Sequence, residues 1–164
     1  MNYYESVVID YLRADRAIFV NTECCIQLNH AENPDNSGPH WYCDAVAVDF
    51  REQCIFLCEI SYGKQLTELA KRLKQWHENW QILCKALVRD SLVPNNWPIR
   101  PWLFVPEDLV SLLLKRFEQI RAGEELSYQP RITPLEMVQP WRYRSWNRVG
   151  EGTKPAVIPD NMRT

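Results

Sequence analysis

The sequence contains no apolar run near the roughly 18 residues that a membrane-spanning helix requires, so no transmembrane segment is expected among its 164 residues. The opening stretch MNYYESVVIDYLRADR lacks a basic start followed by an apolar core. No secretory leader is expected from it, and the expected location is the cytoplasm. An excess of positive charge is also missing: Lys and Arg number 19 against 21 Asp and Glu, a formal net charge of -2. Without a positive field over the whole protein, a nucleic-acid partner has to be held by a local basic surface or through a metal. No phosphate loop, dinucleotide fingerprint, Ser-His-Asp order or internal repeat is visible. CxxC pairs are absent too. Cys24, Cys25, Cys43, Cys54 and Cys58 fall in or beside apolar strand-like runs, and together with Cys84 they read as reduced thiols behaving as small hydrophobes. A zinc site built from Cys54, Cys58 and either His30 or His40 is the alternative, but its spacing is poor for the usual ligand sets.

What is present describes a globular chain. Apolar residues make up 46% and charged residues 24%, and the length suits one domain with a proper core. Tyr4, Val7, Val8, Tyr11 and Leu12 recur at helical spacing, which predicts an amphipathic helix over 2–14. Residues 17–29, AIFVNTECCIQLN, read as a strand with polar interruptions, and 30–40, HAENPDNSGPH, as a loop. In WYCDAVAVDFREQCIFLCEISYG, residues 41–63, two apolar runs flank a polar break at Arg51 and Glu52, the pattern of a hairpin. CIFLCEI is apolar on both alternating faces and belongs near the centre of a sheet.

Beyond Gly63, the stripe Leu66, Leu69, Leu73, Trp76, Trp80, Leu83 and Leu87 predicts one long helix over 64–89 with Lys71, Lys74 and Lys85 off the stripe. Trp76 and Trp80 are core candidates, and His77 beside them reads as a surface or satisfied histidine. VPNNWP breaks the chain, RPWLFV at 100–105 reads as a strand, and a helix is expected from Pro106 to Gly123. The order is helix, strand, strand, strand, helix, strand, helix. It predicts an α/β (α+β) core over 1–125, a mixed four-stranded sheet with helices on both faces. Residues 126–164 read as an extended arm rich in Pro, Arg and Trp, packed on the core or partly loose.

A two-residue turn at Arg51-Glu52 sets Asp44 opposite Glu59. Directly opposed residues share a sheet face, with Cβ atoms roughly 4.5–5.5 Å apart. Val46 and Val48 then join Asp44, and Ser61 joins Glu59. Two opposed acids in an apolar sheet repel and lose hydration. A proton, a basic side chain between them or a shared divalent cation relieves the cost, and carboxylate oxygens with water suit Mg²⁺. Lys64, just past the second strand, could approach the same spot. The competing reading makes Asp44 a backbone cap and Glu59 the partner of a core arginine; a slip or bulge would separate the two acids.

The segment DAVAVDFREQCIFLCEIS, together with the element order, resembles the PD-(D/E)XK, restriction-endonuclease-like superfamily over roughly residues 3–105. The resemblance implies a nuclease hydrolysing DNA phosphodiester bonds, with Asp44 and Glu59 as ligands of Mg²⁺ or Mn²⁺. Glu5 stands where many members carry a further acid. Ser61 occupies the place of the family's lysine, and Lys64 is the substitute the resemblance suggests. The lost lysine leaves a second reading, a non-catalytic member binding nucleic acid or protein. The run Lys71, Arg72 and Lys74 reads as a solvated face or as a phosphate contact. In WRYRSWNR, residues 141–148, Arg142, Arg144 and Arg148 alternate with aromatics, which either stack on bases or clamp the arm to the domain. A homodimer through this aromatic tail is a further expectation.

Overall fold

The computed structural model describes residues 2–28, 40–91 and 93–144 and the backbone of 156–157. Of the loop expected over 30–40, His40 opens a strand instead, and the rest, His30 included, lies outside the described residues, as do the tail residues Trp146 and Arg148. Helix α1 (Tyr3–Arg13) opens on a capping box: Asn2 Oδ1 accepts the Glu5 N–H at 3.0 Å, and Glu5 Oε2 accepts the Asn2 N–H at 3.1 Å. Three strands follow, β1 (Ile18–Gln27), β2 (His40–Asp49) and β3 (Cys54–Ile60), paired antiparallel in sequence order. Then come α2 (Thr67–Glu78), α3 (Trp80–Ser91) and β4 (Ile99–Val105), which lies parallel to β3. A single 3₁₀ turn leads into α4 (Val110–Arg121), which ends where Ala122 and Gly123 turn left-handed. Strand β5 (Arg131–Pro134) lies parallel to β4.

The sheet is therefore mixed, with five strands in the order β1-β2-β3-β4-β5 and a two-residue β6 (Ala156–Val157) on the outer edge. The expected count of four is corrected by β5. That strand hides in the proline-rich segment because RITP is too short to show a period. Three contacts fasten it. Trp102 Nε1 donates to Thr133 Oγ1 at 2.9 Å, with both groups buried. The Arg131 guanidinium lies over the Phe56 and Trp102 rings at 4.4 and 4.9 Å. It also pairs with Glu52 in the hairpin turn. The 3₁₀ turn that follows, Leu135–Val138, buries Leu135 and Val138 against α1. The first part of the arm is thus built into the core.

Alternation along β3 divides the interior. Ile55 and Leu57 face α2, α3 and α4, together with Val46, Leu103, Leu73, Trp76, Leu83 and Phe117. Phe56 and Cys58 face α1, together with Ala45, Ala47, Trp102, Tyr11 and Leu12. Helices cover both faces, as the element order predicts. No helix among the described residues is long and apolar enough to cross a membrane. The single long helix expected over 64–89 is corrected to two. Asn79 interrupts it (φ -128°, ψ 23°), with its side-chain amide donating to Gln75 O at 3.0 Å, the local competition that makes asparagine a poor helix interior. Tryptophans 76 and 80 are core, 1% and 8% exposed. His77 Nδ1 accepts the Ser127 N–H at 3.1 Å and is satisfied.

The hairpin has no Asn-Gly turn because aspartates build it. Asp49 Oδ1 accepts the Arg51 and Glu52 N–H groups at 2.9 and 3.0 Å. Arg51 in turn donates from both Nη atoms to the buried Asp15, at 2.7 and 2.8 Å, tying the turn to the α1–β1 connection. The ladder closes at Asp49↔Cys54, so the loop has four residues where two are expected, with the register unchanged.

The docking of β5 has a measurable consequence. Thr133→Val keeps the shape of the side chain but strands the buried Trp102 N–H, and should lower global stability by about 1–3 kcal/mol. Urea unfolding checks it; an unchanged midpoint would mean that the strand detaches before the core melts.

Candidate functional site

Strands β2 and β3 pair regularly up to Ala45↔Cys58. One position further a side chain takes over from the ladder: Asp44 Oδ2 accepts the Ile60 N–H at 2.7 Å. The ladder is not continued to Asp44↔Glu59, the opposed pair expected, yet Asp44 stands close enough for its charge to raise Glu59. Glu59 continues the Ile55–Leu57 side of β3 toward α2 and is 3% exposed. Arg72, on α2, donates from Nη1 to Glu59 Oε2. The other oxygen, Oε1, is buried without a hydrogen-bond partner.

The electrostatics follow from this placement. Burial, reinforced by the Asp44 charge, pushes the Glu59 carboxyl up to about 8; the Arg72 charge and hydrogen bond oppose the rise without cancelling it. Burial also raises Asp44, against the Ile60 N–H and the Arg72 charge, while Glu5 adds repulsion. A desolvated carboxylate costs several kcal/mol. Each buried Leu, Ile or Phe around it contributes about 1.5–3 kcal/mol, so the core can carry one such group. Two of the three reliefs open to opposed acids are visible in the protein alone: Arg72 set against Glu59, and a carboxyl raised toward its protonated form.

Lys64 is exposed in the turn after β3, and the cation that reaches Glu59 is Arg72. Ser61 is half-buried and donates its N–H to Phe104 O at 3.0 Å. Glu5 spends its carboxylate on the α1 cap, accepting from Asn2 Nδ2 at 2.7 Å as well as from the Asn2 N–H, though its charge still reaches Asp44. Lys71 and Lys74 are exposed, paired with Glu68 at 3.0 Å and Glu78 at 3.8 Å, and with Arg116 they line a groove between α2 and α4 of about 300 Å³. Arg142 and Arg144 are exposed. The arm is clamped by Tyr143, edge-on to Tyr11 at 5.1 Å, while Trp141 stands 78% exposed.

All six cysteines are free, and Cys54 and Cys58 are buried in the α1-side core. Among the described residues, no group of three or more His, Cys, Asp or Glu could hold a metal ion. A two-carboxylate site still fits Mg²⁺, which is bound through one or two carboxylates and keeps several waters; the orphaned Oε1 of Glu59 beside Asp44 is the donor such an ion requires.

Arg72 is the residue that sequence reasoning placed wrongly, in a solvated charge run. The signal was its spacing: three after Leu69 and four before Trp76, at the edge of the apolar stripe. There a long stem can lie along the core while its head reaches the sheet. The capping box was equally readable, as Asn2 followed three residues later by Glu5.

Glu59 gives stability a definite pH dependence. Its folded value of about 8 lies above the ordinary 4.5, so the native state holds a proton that the unfolded chain releases. The contribution is full below pH 4.5 and is lost as pH rises through 8. Urea unfolding across this window should show falling stability in the native chain and a shallower fall in Glu59→Gln; the same fall in both would assign it to another group. Compared with known proteins, the chain matches no family model, no curated protein and no solved structure. The likeness to restriction-endonuclease-like proteins therefore rests on residues 44–61 and the order of elements.

Proposed function

We propose that this protein is a divalent-metal-dependent nuclease that hydrolyses phosphodiester bonds in DNA at the Asp44–Glu59 pair. The observation that carries this reading is the buried, orphaned Oε1 of Glu59, set beside Asp44 where β2 and β3 part. Buried polar atoms are nearly always paired, and a bound ion is one of the explanations that an unpaired carboxylate oxygen calls for. Asp44 and Glu59 would hold Mg²⁺ or Mn²⁺. When bound, such an ion polarises a phosphoryl oxygen and makes hydroxide available at neutral pH. The chain's own groups supply the rest. The Ile60 N–H orients the Asp44 carboxylate, and Arg72 holds Glu59 and carries a positive charge to the mouth of the site. Lys71, Lys74 and Arg116 line a groove between α2 and α4, where phosphates would compete with Glu68 and Glu78 for the two lysines. Tyr4 and Tyr62, with rings 4.6 Å apart and both exposed, flank Glu5 and the end of β3 and offer faces on which unpaired bases could stack.

One observation favours the second reading, a member of the same architecture that binds nucleic acid or protein without cleaving. Arg72 already satisfies half of Glu59, and Ser61 replaces the lysine that would assist water.

Cleavage of plasmid and single-stranded DNA with Mg²⁺ or Mn²⁺ decides between them. The native chain should nick or degrade DNA, and Asp44→Ala and Glu59→Ala should each fall to the metal-free background. Activity surviving both changes would reject the assignment. Calorimetry adds a second readout: divalent binding at ~millimolar concentration should release the Glu59 proton, so the heat should vary with the ionisation enthalpy of the buffer. Absence of binding would select the non-catalytic reading.

A further inference from the structure

Strands β1 and β2 bring two thiols together next to the carboxylates. Cys24 and Cys43 are register partners. Opposed residues in an antiparallel ladder have Cα atoms about 4.5–5.5 Å apart, inside the roughly 4.4–6.8 Å that a disulfide spans. The side chains approach each other: the Cys43 thiol donates to Cys24 O across the strands at 3.9 Å. No other cysteine faces a cysteine in the described ladders; Cys25 opposes Tyr42, Cys54 opposes Asp49, and Cys58 opposes Ala45 and Trp102. The ladder skips Glu23, whose φ is 52°, so a bulge adjoins the pair. Accessibility is graded, with Cys24 half-buried and Cys43 buried behind it.

We propose that Cys24 and Cys43 are a peroxide-oxidisable dithiol that closes to a cross-strand disulfide and is reopened by small thiols. The Cys24 thiolate attacks one oxygen of hydrogen peroxide. The S–O bond forms, the O–O bond breaks, and hydroxide leaves to become water, giving a sulfenic acid. The Cys43 sulfur then attacks the Cys24 sulfur. The S–S bond forms, the S–O bond breaks, and a second water leaves with the Cys43 proton. Two thiols and one peroxide thus become one disulfide and two waters. The contact with the Cys43 side chain lowers the Cys24 thiol to about 7, so a large share is thiolate at neutral pH.

The test uses the full chain. After peroxide treatment and alkylation of the remaining thiols, chymotryptic digestion under non-reducing conditions should yield one cross-linked pair, Cys24 with Cys43, lost on reduction with dithiothreitol. Cys43→Ser should instead accumulate a dimedone-reactive sulfenic acid at Cys24, and Cys24→Ser should leave Cys43 unmodified. A Cys24–Cys25 link, an intermolecular link, further oxidation of Cys24 with Cys43 still free, or no oxidation at all in the native chain would overturn the proposal.

Discussion

The register of the β2–β3 hairpin is the constraint on which the rest of the structure depends. A slip of one residue would turn Glu59 to the α1 side and expel Ile55 and Leu57 from the larger core. Two aspartates guard against it. Asp49 folds the turn by accepting two backbone N–H groups, and Asp15 grips Arg51 at its tip. Polar groups that never approach the candidate site thereby decide whether it exists, since the Asp44–Glu59 proximity follows from the register they hold.

The same constraint explains which features could be read from the sequence. Alternation in β2 and β3 is strong, and the buried stretch CIFLCEI has only one place to go, so the hairpin, its register and the helices on both faces followed from pattern. Strand β5 did not, because four residues with a proline at the end carry no period and its docking depends on distant partners, Trp102, Phe56 and Glu52. The break at Asn79 was hidden for a related reason: the apolar stripe runs straight through it, and only the asparagine marks the local contest for hydrogen bonds.

At the site the acids were legible, and so was the kind of partner each has, a backbone N–H for Asp44 and an arginine for Glu59; which arginine was not. Opposed carboxylates can be placed by counting along strands, whereas the cation that meets them comes from a helix whose rotation about its axis is set by packing. Lys64 is close to Glu59 in sequence and Arg72 is distant; the fold makes the second the partner. Burial then outweighs that cation in setting the protonation of Glu59, a balance that no linear pattern contains.

The parallel pairing of β5 with β4 also orders events during synthesis. The antiparallel strands β1 to β3 are joined by short-range contacts and can meet as soon as they leave the ribosome. The sheet acquires its fifth strand only after α4 and residues up to 134 have emerged, because a parallel neighbour can be reached only by a crossover. Until then the β4 edge lies open, with Trp102 lacking the hydroxyl that Thr133 will supply. A nascent or truncated chain ending before that strand exposes a pairing edge of the kind that recruits other chains, so its hazard is self-association.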